Sequence, residues 1–130
     1  AKEIALVLDI HHHWIRAEEY ILPNDDRVKR VIDSWRGVRP TLHYSYSRDE
    51  HLAPAGLGDK MNSEMHDIKM LLERGCKKQK LRAHSDLLPN AKVNDWALSF
   101  GEHFDIQTEA KGKNMAAEQL YRQAKESAVI

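Results

Sequence analysis

The sequence predicts a parallel α/β chain, and three observations predict it. Runs with period-two alternation and segments with helical apolar spacing follow one another as strand, helix, strand, helix, strand, helix. Each strand-like run ends in residues able to do chemistry: Asp9 with His12, then His43, then Glu109 with Lys111. Parallel α/β folds carry their sites at the carboxyl ends of strands, so the repeated pattern and the repeated chemistry point to one architecture. An eight-stranded barrel of this type takes roughly 250 residues. Three units in 130 residues are less than half of one.

Taken in order, 4–9 is apolar up to Asp9 and reads as a strand, with the polar HHH run following as a loop. In 25–35, Val28, Val31, Ile32 and Trp35 fall on one helical face. Asn24, Asp25 and Asp26 suit the start of that helix, and Gly37 its end. TLHYSYS, 41–47, alternates as a second strand. The stretch 48–60 holds Pro54, Gly56 and Gly58 and reads as a loop. Met65, Ile68, Met70, Leu71 and Leu72 give 62–74 near-helical spacing, closed by Gly75. A basic stretch, KKQKLR at 77–82, fits a DNA contact or a solvated loop equally well. A helix at 91–103, a third strand at 104–110 and an amphipathic helix at 114–126 complete the chain, with no internal repeat.

Composition narrows the function classes only modestly. Lysine plus arginine equals aspartate plus glutamate at 20 each, so net charge selects no acidic or basic partner. The 31% charged and 42% hydrophobic fractions fit a folded soluble domain. Cys76 is the only cysteine, which rules out an internal disulfide and favours a reducing compartment. No apolar run is long enough to span a membrane, and the first residues are not a signal peptide. The chain opens almost directly into an apolar run, as a piece of a longer protein would.

Strand side chains alternate between faces. Ala5, Val7 and Asp9 share one face of the first strand, Thr41, His43 and Ser45 one face of the second, and Asp105, Gln107 and Glu109 one face of the third. Three such faces turned to one interior bring Asp9, His43 and Glu109 together. Neighbouring carboxylates out of water are costly unless a cation or a proton neutralises them, and a divalent metal does so. Read singly, each residue has a plainer account. His43 fits a hydrogen-bonded core histidine, Glu109 a solvated ion pair, and the histidine run a tag residue.

VLDIHHHWI, LHYS, RAHSD and TEAKGK, in this order, resemble the C-terminal part of the ultraviolet-damage endonuclease family, from residue 4 to about residue 117. The stretch between 47 and 82 matches less clearly. The resemblance implies an α/β barrel related to that of endonuclease IV and sugar isomerases. It also implies nicking of DNA immediately 5′ to pyrimidine dimers and 6-4 photoproducts with a cluster of divalent metals. Manganese is the expected ion, with zinc, magnesium or cobalt as alternatives. The implied ligands are Asp9 and His12 from the sixth strand end, His43 from the seventh, His84 from the loop that follows, and Glu109 from the eighth; these are also the implied catalytic residues. His11 and His13 are expected beside the ligands or facing DNA, and Arg48, Lys111 and Lys113 against phosphates. Damaged double-stranded DNA is the implied partner, and a prokaryotic cytoplasm or nucleoid the implied location.

Two departures from the family pattern stand out. Thr41 occupies a position where some members carry a lysine that can be carboxylated to act on the metals. The family's first five strands have no counterpart, so the chain looks like the last three βα units of an incomplete TIM-type barrel. Its expected complement is the missing N-terminal half or a second copy in a homodimer. The alternatives are a non-catalytic fragment or oligomerising half-barrel that binds metal, a structural zinc module, a metal-dependent abasic-site nuclease, and a sugar isomerase.

Overall fold

The structure, a computed structural model, describes residues 4–110, 112 and 114–128. It is an α/β arrangement around a three-stranded parallel sheet: β1 (Leu8–Asp9), β2 (Thr41–Tyr44) and β3 (Asp105–Thr108), in the order β1-β2-β3. Leu8 pairs with Leu42 and Asp9 with His43; Leu42 pairs with Ile106 and His43 with Gln107. Each strand is shorter than its alternation predicts. For β1 the reason is Pro40. Continuing the register places Leu6 opposite Pro40, which has no N–H to give to a ladder. Leu6 bonds to the helix that follows instead: its N–H donates to Ser34 Oγ at 2.9 Å, and Trp35 Nε1 donates to its carbonyl at 2.7 Å. Ile4, Leu6 and Val7 stay exposed.

The helices are α1 (Ile10–Ala17), α2 (Asp26–Ser34), α3 (Asp49–Leu52), α4 (Ile68–Glu73), α5 (Lys78–Leu81), α6 (Ala91–Leu98) and α7 (Asn114–Ala128). The histidine run expected as a loop lies on α1. Asp9 caps that helix by accepting the His12 N–H at 2.8 Å, and Ile10, His11, Trp14 and Ile15 form its buried face. The predicted 62–74 helix is confined to α4, because Asp67 caps it and accepts the Lys69 N–H at 3.1 Å. The 48–60 loop contains α3, a 3-10 turn at Ala53–Ala55 and the start of another at Gly58–Asn62, and the basic stretch contains α5. Among the described residues no helix is long and apolar enough to cross a membrane.

Leu8, Leu42 and Tyr44 form the buried face of the sheet. Fully burying a Leu such as Leu42 contributes roughly 1.5–3 kcal/mol. An aromatic run continues the core: Trp14 stacks on Tyr20 at 5.6 Å, and Tyr20 meets Trp96 edge-on at 5.0 Å. Phe100 and Phe104 follow at 6.1 Å steps. At the amino ends of the strands, Arg39 bonds Asp105 and the carbonyls of Gly101, Glu102 and Phe104, which sets β3 against β2.

Tyr44 carries the sheet's attachment to α6. Its hydroxyl donates to Asn94 Oδ1 at 2.6 Å, and Asn94 Nδ2 donates onward to the Leu88 carbonyl and Gln123 Oε1. Tyr44→Phe leaves a buried amide oxygen unpaired and costs about 1–2 kcal/mol in urea unfolding. An unchanged midpoint would remove the hydroxyl from this account.

Candidate metal centre

The carboxyl ends of the three strands converge. Asp9 and His43 are register partners on adjacent strands. Glu109 follows β3 on the same face as Gln107, and its N–H donates to the Tyr44 carbonyl at 2.7 Å, which holds it level with the end of β2. Asp9, His43 and Glu109 each offer one ligand atom, and these atoms lie within 4.8 Å of one another. His43 Nδ1 and Glu109 Oε1 are 3.2 Å apart. Adjacent donors of an octahedron with bonds of roughly 2.1 Å stand about 3 Å apart, so this pair already has the spacing of one coordination edge. Two carboxylates and an imidazole are the donor set expected for manganese, zinc or magnesium. All three residues are half-buried, so solvent can reach them.

Asp9 has two tasks. One oxygen takes the cap bond of α1, which fixes the side chain's direction, and the cap bond leaves the second oxygen unused. Thr41 shares the His43 face two residues earlier, and its hydroxyl adds no negative charge.

The other expected ligands stand outside this group. His12 is exposed on α1, its main-chain N–H engaged by Asp9. His84 is half-buried, and its backbone forms an antiparallel bridge with Ser47 just past β2. His11 is buried, with Nδ1 3.0 Å from Ser45 Oγ and Nε2 3.0 Å from Ser47 Oγ. Burial first, then the nearby His84 and His12, push its pKa down to about 3. The His13 ring turns to Glu19, with Nε2 2.8 Å from its carboxylate. Arg27 bonds the same carboxylate and, ahead of His13, holds it below the usual range.

Arg48 extends from the end of β2 toward Glu50 at 2.7 Å and Asp86 at 3.3 Å. The two carboxylates aim the guanidinium across an open cleft of about 270 Å³ lined also by Ser85 and Pro89. The expected phosphate contacts Lys111 and Lys113 lie outside the described residues. Between them, Gly112 plays a part the sequence reading did not assign. Its N–H donates to the Asp86 carbonyl at 2.6 Å, and a Cβ there would collide with that oxygen. Gly112→Ala therefore forces the 84–86 segment away. It should cost about 1–3 kcal/mol and weaken the Arg48–Asp86 pair. A crystal structure with that segment unmoved would contradict this. The hint in the sequence was a glycine two residues past the predicted third strand.

A family model described as UV-endonuclease UvdE matches residues 1–130, the whole chain. Searches of curated proteins and of solved structures found no match. The chain belongs to the UV-endonuclease UvdE family, whose members are endonucleases of UV-damage DNA repair.

Proposed function

We propose that this chain supplies part of the divalent-metal site of a DNA-repair endonuclease that nicks the strand immediately 5′ to UV photoproducts. One observation carries the reading: in a chain of this family, Asp9, His43 and Glu109 converge with ligand spacing at the carboxyl ends of three parallel strands. A divalent ion held there supplies Lewis-acid stabilisation of the charge that develops on the phosphate oxygens and acidifies a water. The protein's own residues do the rest. Asp9 and Glu109 bring two negative charges that draw the cation in, and His43 fixes its position from the central strand. His12, one turn into the helix that Asp9 caps, and His84, bridged through its backbone to Ser47, are the further ligands that the family resemblance implies. Arg48, Lys111 and Lys113 hold the DNA backbone, which positions the lesion without reading sequence. Manganese suits this donor set, and zinc, magnesium and cobalt share it.

The sheet's form supports a TIM-type barrel. β1 and β3 are both edges, and the site face is half-open, as in the last three units of a barrel completed by further strands or by a second copy. The chain alone then nicks poorly. Titration with manganese, followed by electron paramagnetic resonance, should show saturable binding; its absence sinks the metal reading. A nicking assay by the complete barrel on irradiated, abasic and undamaged duplexes tests the substrate. Cleavage restricted to irradiated DNA supports the proposal, and a preference for abasic DNA favours the related nuclease.

A further inference from the structure

We propose that His11 is a positioning residue: an imidazole carrying its proton on Nε2 that latches α1, the end of β2 and the 81–85 segment to one another. The inference rests on the metal-centre reading above for its functional meaning, and on hydrogen-bond direction for its chemistry. Ser47 Oγ donates to the Leu81 carbonyl at 2.7 Å. A carbonyl has no proton to give, so the one hydroxyl proton of Ser47 is spent there. Toward His11 Nε2, 3.0 Å away, Ser47 can only accept, and Nε2 must bear a hydrogen. In a neutral ring Nδ1 then presents its lone pair to Ser45 Oγ, which donates at 3.0 Å. His11, Ser45 and Ser47 are all buried, so water does not stand in for either bond.

The three joined segments are those that carry the proposed ligands. α1 begins on Asp9 and bears His12; β2 bears His43; the segment after α5 bears His84. The backbone ties the same places, with Ser47 bridging His84 and the Ser85 N–H donating to the Tyr46 carbonyl at 2.8 Å. The His84 ring meets the His11 ring edge-on, centroids 6.4 Å apart and planes 73° apart. Any flat ring could fill the space. Ser47 requires a donor on Nε2, and in a neutral ring the other nitrogen is then the acceptor that takes the Ser45 proton.

Nitrogen-15 NMR of the histidine rings in the full chain tests the tautomer directly. An Nε2–H ring is expected at His11, and an Nδ1–H ring overturns the proposal. Two variants test the role. His11→Phe keeps a ring without nitrogen, and His11→Gln returns one donor toward Ser47. Manganese affinity should fall roughly 10–100-fold in H11F, the range typical of groups that orient ligands, and recover in part in H11Q. Hydrogen exchange at the Ser85 amide should quicken in H11F while the α6 amides keep their protection. Unchanged affinity and unchanged exchange in H11F would overturn the latch. If the parent chain takes up no manganese, the metal-centre reading fails, while the tautomer and exchange results still decide the latch. If H11F does not fold, the ring measurement on the parent decides it.

Discussion

Replacing Glu109 by Gln should lower manganese affinity by at least about 100-fold, beyond the 10–100-fold typical of groups that only orient ligands. Nicking of irradiated DNA by the enzyme that carries this site should be lost. The substitution keeps the shape of the side chain and removes its charge. Glu109 is one of two carboxylates in the cluster, and an amide oxygen is a weak ligand for a hard divalent ion. The fold should hardly respond. The Glu109–His43 pair is 31% exposed on both sides, and ion pairs in that setting contribute about 0–1 kcal/mol. In the metal-free protein, losing one of two neighbouring anions offsets part of even that loss. Melting of the metal-free variant should therefore stay within roughly 2 °C of the parent. Retained nicking at the parental rate would remove Glu109 from the chemistry. Asp9→Asn is the matched comparison. Asn caps helices as well as Asp does, so α1 should persist while the metal is lost.

How much of this was legible in the sequence follows from which physics each feature rests on. The meeting of Asp9, His43 and Glu109 was legible because strand parity is rigid: a side chain two residues along returns to the same face whatever the strand's length. That argument survives the shortening of β1 to Leu8–Asp9. The shortening itself depends on which residue lies opposite Leu6, and register with Pro40 is a tertiary fact. The histidine run hid α1 because three polar residues in succession interrupt an apolar pattern. The helical signal was there in Ile10 with Trp14 and in His11 with Ile15, once His11 is counted as a core residue. Its burial depends on Ser45 and Ser47, 34 and 36 residues away, and no local window contains that pairing. The family resemblance rested on four short motifs, and the family model spans the whole chain.

Asn90 shows how a polar residue of the second half holds the end of β2, and its substitutions should have the largest effect on stability. Its Oδ1 accepts the Lys92 and Val93 N–H groups at 3.1 and 3.2 Å, capping α6. Its Nδ2 donates to the Glu64 carbonyl at 2.7 Å and to the Tyr46 hydroxyl at 3.1 Å. Asn90→Ala loses the cap, worth about 1 kcal/mol, and leaves the Glu64 carbonyl without its donor, worth about 1–3 kcal/mol. A total near 2–4 kcal/mol lowers Tm by roughly 10 °C in a domain of this size. Asn90→Asp separates the two halves of that sum. The carboxylate still caps α6 but turns an oxygen toward the Glu64 carbonyl, and two acceptors repel. Protonation replaces that oxygen with an O–H that can donate, so the folded state raises this carboxyl's pKa. A raised pKa gives stability that is present below the unfolded value of about 4 and lost as pH rises through the folded value. N90D should therefore gain on the parent as the solution is acidified, while N90A should run parallel to it. Parallel melting curves for N90D and N90A from pH 7 down to pH 4 would show that the amide donor contributes nothing, and that Asn90 serves only as a cap.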